Sequence, residues 1–441
     1  MWVEELTLEN IRCFEKAAIK FYKKEQPYHW ITFLGENGGG KSTALQALGL
    51  LLAGPEGAQQ LTRPLGWVRH EEQVGKISLR LHQGDNDPGK FGGEKRVTRA
   101  FKYTYFMTGS QPIKIRGKQF TEPTIVENKE RRLTWLRQNA LTSKGKGWFA
   151  VGYGAFRRLT RSHQIIIPSL EPPARFNNFI TQFDEDQPLA AFERWMVYLD
   201  YRIAKNNDSE AKRQKDLGIV AINKILPQGV KFDSVTPEGR ILFDIAGHKV
   251  PTITLSDGYR SVLALTGDLV WRLLLAFPDS DDPLAEQGVV LIDELDIHLH
   301  PIWQRDIAVK LREQFPNLQF FVATHSPLVA AGAGIDALSY RFVFHEGETI
   351  VTEVENIASL NVDRILQSEA FDLVSPFSPQ TQATIDRYDA LMRKKRRTPK
   401  EEKMLTEEII PIIQMALPFG GSPAPDSLDA RIEDFLNKTL K

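Results

Sequence analysis

The chain has 441 residues, 42% hydrophobic and 25% charged, enough for a large core and more than one subdomain and ordinary for a soluble globular protein. Lys plus Arg and Asp plus Glu stand at 56 each, so the molecule as a whole is no polyanion-binding cation, and a nucleic-acid contact would need a local patch. The single cysteine, Cys13, excludes an internal disulfide and fits a reducing compartment.

The opening MWVEELTLEN is acidic and lacks the long apolar run of a secretory signal. The segment VEELTLENIRCFEKAAIKF alternates apolar and polar residues around Leu6, Leu8 and Ile11, which predicts an antiparallel pair of half-buried strands. HWITFLG reads as a short buried strand, and KSTALQALGLLLAG as a helix stopped by Gly54-Pro55. ALQALGLLLAG is the longest strongly apolar stretch; it is too short to span a bilayer, so the expectation is a cytoplasmic protein with no membrane contact. From Lys76 to about Val126 several β-like segments predict a small antiparallel sheet inserted after this helix, and GWFAVGYGAFRRL adds a strand with a Gly-rich exit. Helical patterns dominate from about Leu189 to Ile225. Strands resume at VKFDSVTP and RILFDIAG, a buried helix follows at SVLALTGDLVWRLLLAF, and GVVLIDEL, QFFVATH, YRFVFHEG and TIVTEVE read as further strands, with helices between the first three. The remainder, from about Ser359, is mostly helical and polar, with a basic run at Arg393–Arg397 and a Pro/Gly/Ser linker, PFGGSPAPDS.

Four short stretches carry chemistry. GENGGGKS, Gly35 to Ser42, fits the phosphate-loop pattern G-x4-G-K-[ST] with a strand before it and a helix after it. Its glycines let backbone N–H groups face phosphate oxygens, Lys41 would bridge the β- and γ-phosphates, and Ser42 would ligate Mg²⁺. VVLIDE is a buried strand with acids at its carboxyl end, where open α/β sheets bind ligands. Asp293 can hold the Mg²⁺ and Glu294 can polarise an attacking water. LSDGYRS opens a helix, where Ser256, Asp257 and Gly258 make either an ordinary N-cap or a second anion cradle. FFVATHSP ends a buried strand in Thr324-His325-Ser326, and His325 is either a structural histidine or a group that senses a γ-phosphate. In VVLIDELDIHLHP, His298 and His300 beside three carboxylates also resemble transition-metal ligand spacing, although Mg²⁺ prefers oxygen.

Taken in order, the phosphate loop, LSDGY, LIDELD and ATH resemble the motifs of ABC-type ATPases. The DELDIHLHP-WQ run and the opening LTLENIRCFEKAAIKF resemble the SMC/RecF/OLD-like, AAA_21-type branch rather than transporter subunits. The resemblance spans most of residues 1–345 apart from the insertions. It implies an α/β fold: a P-loop ATPase head of mixed sheet and helices with an antiparallel β subdomain, a short helical insertion and a helical C-terminal tail. The corresponding division is residues 1–170 for the first lobe, 171–227 for the helical insertion, 228–358 for the second lobe and 359–441 for a partner-docking region. In this family two heads sandwich two ATP molecules. Carried over, Gly35, Asn37, Gly38, Gly39, Gly40, Lys41, Ser42 and Thr43 hold one ATP, with Mg on Ser42 and Asp293. Ser256, Asp257 and Gly258 reach the ATP of the other copy. Glu294 is the catalytic base, Asp296 the D-loop residue, facing the partner copy, and His325 the switch histidine. Arg12 matches an arginine that contacts the nucleoside.

The chain departs from the family at two points. No Gln stands clearly in the Q-loop position, leaving Tyr153, Arg157, Arg158 or the distant Gln182, and Asp257 stands where transporters have Gly. The segment after VTEVE is short, mostly helical and without a D-x-D, so a built-in Toprim nuclease is not expected. The tail resembles those of stand-alone bacterial ATPases (PtuA-like) paired with a separate HNH nuclease in Septu and retron anti-phage systems. The resemblance implies an ATPase that assembles through its heads, as a dimer or larger, and regulates such a nuclease. Two rival readings are a RecF-like repair ATPase contacting DNA through Arg393–Arg397 and Lys129–Arg132, and a transporter motor subunit.

Overall fold

A computed structural model describes residues 1–23, 26–84, 87, 100–128, 131–141, 147–155, 175–184, 191–227, 229–394 and 396–416. Its contacts divide the chain into two units, the first holding residues 1–365 and 369–371, the second residues 366–368 and the chain from 372 onward. The Pro/Gly/Ser linker lies outside the described residues.

In the first unit, β1 (Trp2–Ile11) and β2 (Phe14–Lys20) form the expected hairpin, with Leu6 opposite Ile19 and Leu8 opposite Ala17. The buried strand β3 (Trp30–Gly35) leads through the glycine loop into α1 (Lys41–Ala53). Next come β4 (Gly75–His82), β5 (Phe101–Met107), β6 (Ile125–Glu127) and β7 (Phe149–Tyr153). Helices α2 (Ala191–Asn206) and α3 (Ser209–Ile225) precede an antiparallel ribbon of β8 (Val230–Val235), β9 (Ile241–Ile245) and β10 (His248–Pro251). Then follow α4 (Asp257–Ala276), β11 (Gly288–Ile292), α5 (Pro301–Gln314), β12 (Leu318–Ala323), α6 (Pro327–Gly332), β13 (Leu338–His345) and β14 (Glu348–Val354).

The sheet predicted as an insertion is not separate. Strands β4, β5 and β6 extend the N-terminal hairpin into one antiparallel sheet of order β6-β5-β4-β1-β2. The physical reason is that the hairpin leaves the backbone groups on the far side of β1 unpaired, and β4 covers that edge, with Leu6 opposite Leu79 and Leu8 opposite Ile77. Alternation along one strand does not reveal which edge it pairs with.

The central sheet has order β7-β11-β12-β3-β13-β14, parallel except for the last pair. β11 and β12 are buried at every position, as parallel strands covered on both faces must be. Helix α1 is buried on nearly all sides and lies between the two sheets; Tyr103 of β5 donates to the Leu51 carbonyl at 2.7 Å. On the opposite face α2, α3, α4 and α5 share a second core with Trp30, Val290, Phe320 and Val322. Because β3, β7, β11 and β12 run parallel, the glycine loop, Gly154, Asp293 and Thr324 all leave the same edge of the sheet.

In the second unit α7 (Pro379–Met392) and a helical run from Pro399 pack around Leu391, Leu405 and Ile409. A capping box at Thr398 and Glu401 starts the run. Among the described residues no helix is long and apolar enough to cross a membrane.

Candidate nucleotide-binding site

Glycine is required in the loop between β3 and α1 for two separate reasons. At Gly35 a side chain would strike the backbone of β13, since an added Cβ would lie 2.2 Å from the Phe342 carbonyl oxygen. At Gly40 φ is +96°, a left-handed conformation open to glycine, and a Cβ there would fall 2.7 Å from both Cys13 Sγ and the Phe14 ring. Helix α1 therefore begins on a glycine that supplies no side-chain cap, and no acid stands in its first turn. Its N-terminal N–H groups and the positive end of its dipole, at Lys41, Ser42 and Thr43, suit an anion. Beside Gly38 (φ +80°) there is open space. This cradle, bounded by a buried lysine and a hydroxyl, fits a nucleotide phosphate.

Lys41 is 5% exposed, and its ammonium donates to the carbonyls of Gly35 and Glu36, each at 2.8 Å. Burial lowers its pKa, opposed by the carboxylates of Asp293, Glu294, Asp296 and Glu36, which all lie within electrostatic reach. His325 belongs to the same cluster. Burial lowers its pKa, Lys41 adds to that, and Asp296 and Asp293 pull the other way. The structure thus brings together the phosphate loop, the acids after β11 and the histidine after β12.

The Asp293 N–H donates to the Tyr153 carbonyl at 2.9 Å, holding the exit of β11 to β7. Glu294 has φ +46°, an uncommon conformation for a residue with a side chain, and the next residue is pinned by the Leu295 N–H bond to Ala323 at 3.2 Å. A hydroxyl on Ser42 and a carboxylate on Asp293 are the oxygen donors Mg²⁺ favours. Asp296 is half-buried, and its carboxylate accepts from the Thr324 hydroxyl and, at 3.3 Å, from the His325 N–H. The loop carbonyls of Asp296 and Leu299 accept from the Gln304 amide. Gln304 and Ser326 were not singled out by sequence reasoning; the WQ of the motif run was the available signal for the first.

Ser256 stands at the N-cap position of α4 but its side chain makes no capping bond, and Ser256 and Asp257 are both exposed. The start of α4 packs on the segment after β11: a Cβ on Gly258 would meet the His298 carbonyl at 2.6 Å, and Tyr259 sits edge-on to Trp303 at 4.8 Å. Among the described residues no hydrogen bond or ion pair joins Ser256, Asp257 or Gly258 to residues 35–43.

Arg12, with φ +45°, lies over Trp67 at 4.1 Å and donates to Gln46 of α1 at 2.9 Å. Of the Q-loop alternatives, Tyr153 is fully buried and donates to Asp268 of α4 at 2.9 Å, away from the phosphate loop. Gln182 is 8% exposed and inserts between α1 and β7, against Gly49 and Gly152, while its carbonyl accepts from Gln46 at 2.9 Å. Arg157 and Arg158 lie outside the described residues. The transition-metal reading of His298 and His300 finds no support: among the described residues no three His, Cys, Asp or Glu side chains gather to hold a metal, and His300 caps α5, accepting from Ile302 N–H at 3.4 Å.

Comparison with known proteins places this geometry among relatives. The chain is 26% identical over 398 residues to the Septu protein PtuA of Bacillus mycoides (strain KBAB4), covering 89% of this chain and 47% of that protein. It is 34% identical over 155 residues to the "Retron Vc95 probable ATPase" of Vibrio cholerae serotype O1 biovar El Tor, covering 34% of this chain and 29% of that protein. It is 45% identical over 89 residues to the "Retron Ec83 probable ATPase" of Escherichia coli, covering 20% and 16%. The chain spans less than half the length of each of these three relatives. Among solved structures it is similar to an SMC head bound to the C-winged helix domain of ScpA (TM-score 0.47, 14% identity, 81% of this chain and 99% of that one). A second is the SMC head domain from Thermotoga maritima (TM-score 0.42, 16% identity, 81% and 100%). Residues 31–331, the span from β3 into α6, match the AAA_21 family model, described as "AAA domain, putative AbiEii toxin, Type IV TA system", and the chain belongs to that family.

Proposed function

We propose that this protein binds ATP and hydrolyses it to ADP and phosphate, and that it does so as the ATPase component of a bacterial anti-phage defence system. The observation that carries the reading is the convergence on Lys41 of the uncapped α1 terminus, the Asp293–Glu294 turn and His325. Residues Gly35 to Thr43 hold the phosphates, with Asn37 and Gly39 in the loop, and Arg12 borders the nucleoside. Ser42 and Asp293 would hold Mg²⁺, which when bound offsets charge on the phosphate oxygens. Lys41 exchanges its two carbonyl acceptors for phosphate oxygens, a stronger charge-assisted pairing. Glu294 takes the proton of the attacking water, and His325, held neutral by burial, hydrogen-bonds the terminal phosphate.

Two further parts of the proposal concern partners. The exposed Ser256 and Asp257 and the uncapped start of α4 support a head-to-head dimer in which this end meets the nucleotide of a second copy. The likeness to Septu and retron proteins supports a separate HNH-type nuclease as the regulated partner, held through the C-terminal helices, in the cytoplasm. Direct DNA binding through the basic run has less support, because Lys394 pairs with Glu401 and Arg397 with Glu402.

Binding is tested by calorimetric titration of Mg-ATP into the wild type and Lys41→Ala. The expected result is a loss of affinity of at least ~10-fold, about 1.4 kcal/mol, in the variant. Equal affinities would remove Lys41 from the site.

A further inference from the structure

We infer that Gln304 and Ser326 are positioning residues: together they clamp the loop after Glu294 to the turn that carries His325, so that base and switch are set as one unit. The inference deepens the ATPase reading and rests on it. Its basis is a closed ring of side-chain hydrogen bonds. The Ser326 hydroxyl donates to Gln304 Oε1 at 2.7 Å. The Gln304 amide donates to the carbonyls of Leu299 (2.9 Å) and Asp296 (3.4 Å). The Asp296 carboxylate accepts from the Thr324 hydroxyl and the His325 N–H, and Thr324 Oγ1 accepts from the Ser326 N–H at 3.0 Å, which closes the ring. Ser326 also caps α6, accepting from Leu328 and Val329 N–H at 3.1 and 3.2 Å, so its hydroxyl is fixed in direction.

The chemistry of the ring specifies glutamine. Position 304 must accept one hydrogen bond and donate two from a planar head, which an amide does and a carboxylate at neutral pH cannot. Glutamate there would turn an oxygen toward two carbonyl oxygens and lose both donated bonds. Neither Gln304 nor Ser326 need touch the nucleotide for this role. Their influence reaches it through Asp296, two residues after Glu294, and through the His325 backbone. The clamped loop also carries the His298 carbonyl on which Gly258 packs, so the same ring sets the seat of the α4 terminus.

The test is steady-state hydrolysis and ATP affinity for the wild type, Gln304→Glu, Ser326→Ala, the Gln304→Glu/Ser326→Ala double variant and Ser326→Thr. A misplacement of ~1 Å in a catalytic constellation costs on the order of 100-fold, so kcat is expected to fall about 10- to 100-fold in both single variants while KM and ATP affinity stay within about threefold. The double variant is expected to be no slower than the worse single, since both remove one clamp. Ser326→Thr keeps the hydroxyl and recovers most of the turnover lost in Ser326→Ala. Should Gln304→Glu fail to fold, Gln304→Met, of similar length and without the amide, carries the same expectation. Wild-type kcat in the Gln304 variant, fully additive losses, or a loss confined to KM would overturn the clamp while leaving the ATPase reading intact. A wild-type chain that binds ATP and does not hydrolyse it would overturn both.

Discussion

At the residue scale the site is governed by burial set against charge. Lys41 and His325 are both pushed toward their neutral forms by burial, and both are drawn back by the carboxylates after β11. For His325 the net direction is downward from 6.5. A histidine whose folded pKa is lowered binds fewer protons folded than unfolded, so its stabilising contribution is present above 6.5 and is lost as pH falls below it toward the folded value. Melting temperatures of the wild type and His325→Gln compared across that window should converge as the pH drops. A difference that is constant with pH would contradict a neutral, half-buried imidazole. The contiguous motifs were legible at this scale: spacing alone brings Gly35, Lys41 and Ser42 onto one loop and helix start, and Asp293 onto a strand end. The clamp was not legible, because Gln304 meets Ser326 across two elements and only the packing of α5 beside the β12 exit brings them together. For the same reason the hydrogen bond from the Thr324 hydroxyl to Asp296 was not legible in the sequence.

Among the elements, α4 ties the two halves of the site. Its first turn offers Ser256 and Asp257, while Asp268, fully buried in its middle, accepts from Tyr153 at 2.9 Å and from Arg272 at 2.6 Å. The Tyr153 carbonyl in turn accepts from Asp293 N–H, so a bonded path runs from the acid turn through β7 to α4. Asp268→Ala would leave Arg272, with an 11% exposed side chain, as an uncompensated charge, and chemical denaturation should show a loss of about 3–5 kcal/mol. Tyr153→Phe removes one hydrogen bond to a charged group and should cost about 1.5–3 kcal/mol. Losses below ~1 kcal/mol in both would mean the path holds nothing together. Periodicity did not predict the helices Pro55–Leu61 and Arg131–Asn139 or the strand His248–Pro251. It did predict the longer strands and helices, since each depends only on its own residues. Partnering does not, and that is why β4 and β5 read as an inserted sheet when they complete the sheet of β1 and β2.

For the whole molecule, the two units set the design of any docking experiment. Within the first unit, Val354, Ile357, Ile365 and Ala370 share a small core with Leu34 and Ala330. From Asp372 onward the chain belongs without interruption to the second unit. A chain ended at residue 371 should keep its ATP affinity and fail to co-purify with a co-expressed HNH nuclease, whereas the full chain retains it. Capture by the shortened chain would move the docking surface onto the head. The composition could bound none of this, since equal totals of acid and base conceal both the paired basic run and the acidic cluster around Lys41.

The most direct test of the account is the rate of phosphate release from ATP by the wild type and by Glu294→Gln, with Mg-ATP affinity measured on the same samples. The prediction is hydrolysis by the wild type, a fall of ~100-fold or more in Glu294→Gln as expected for loss of a general base, and undiminished binding. Equal turnover in the two proteins, or none in the wild type, would contradict it.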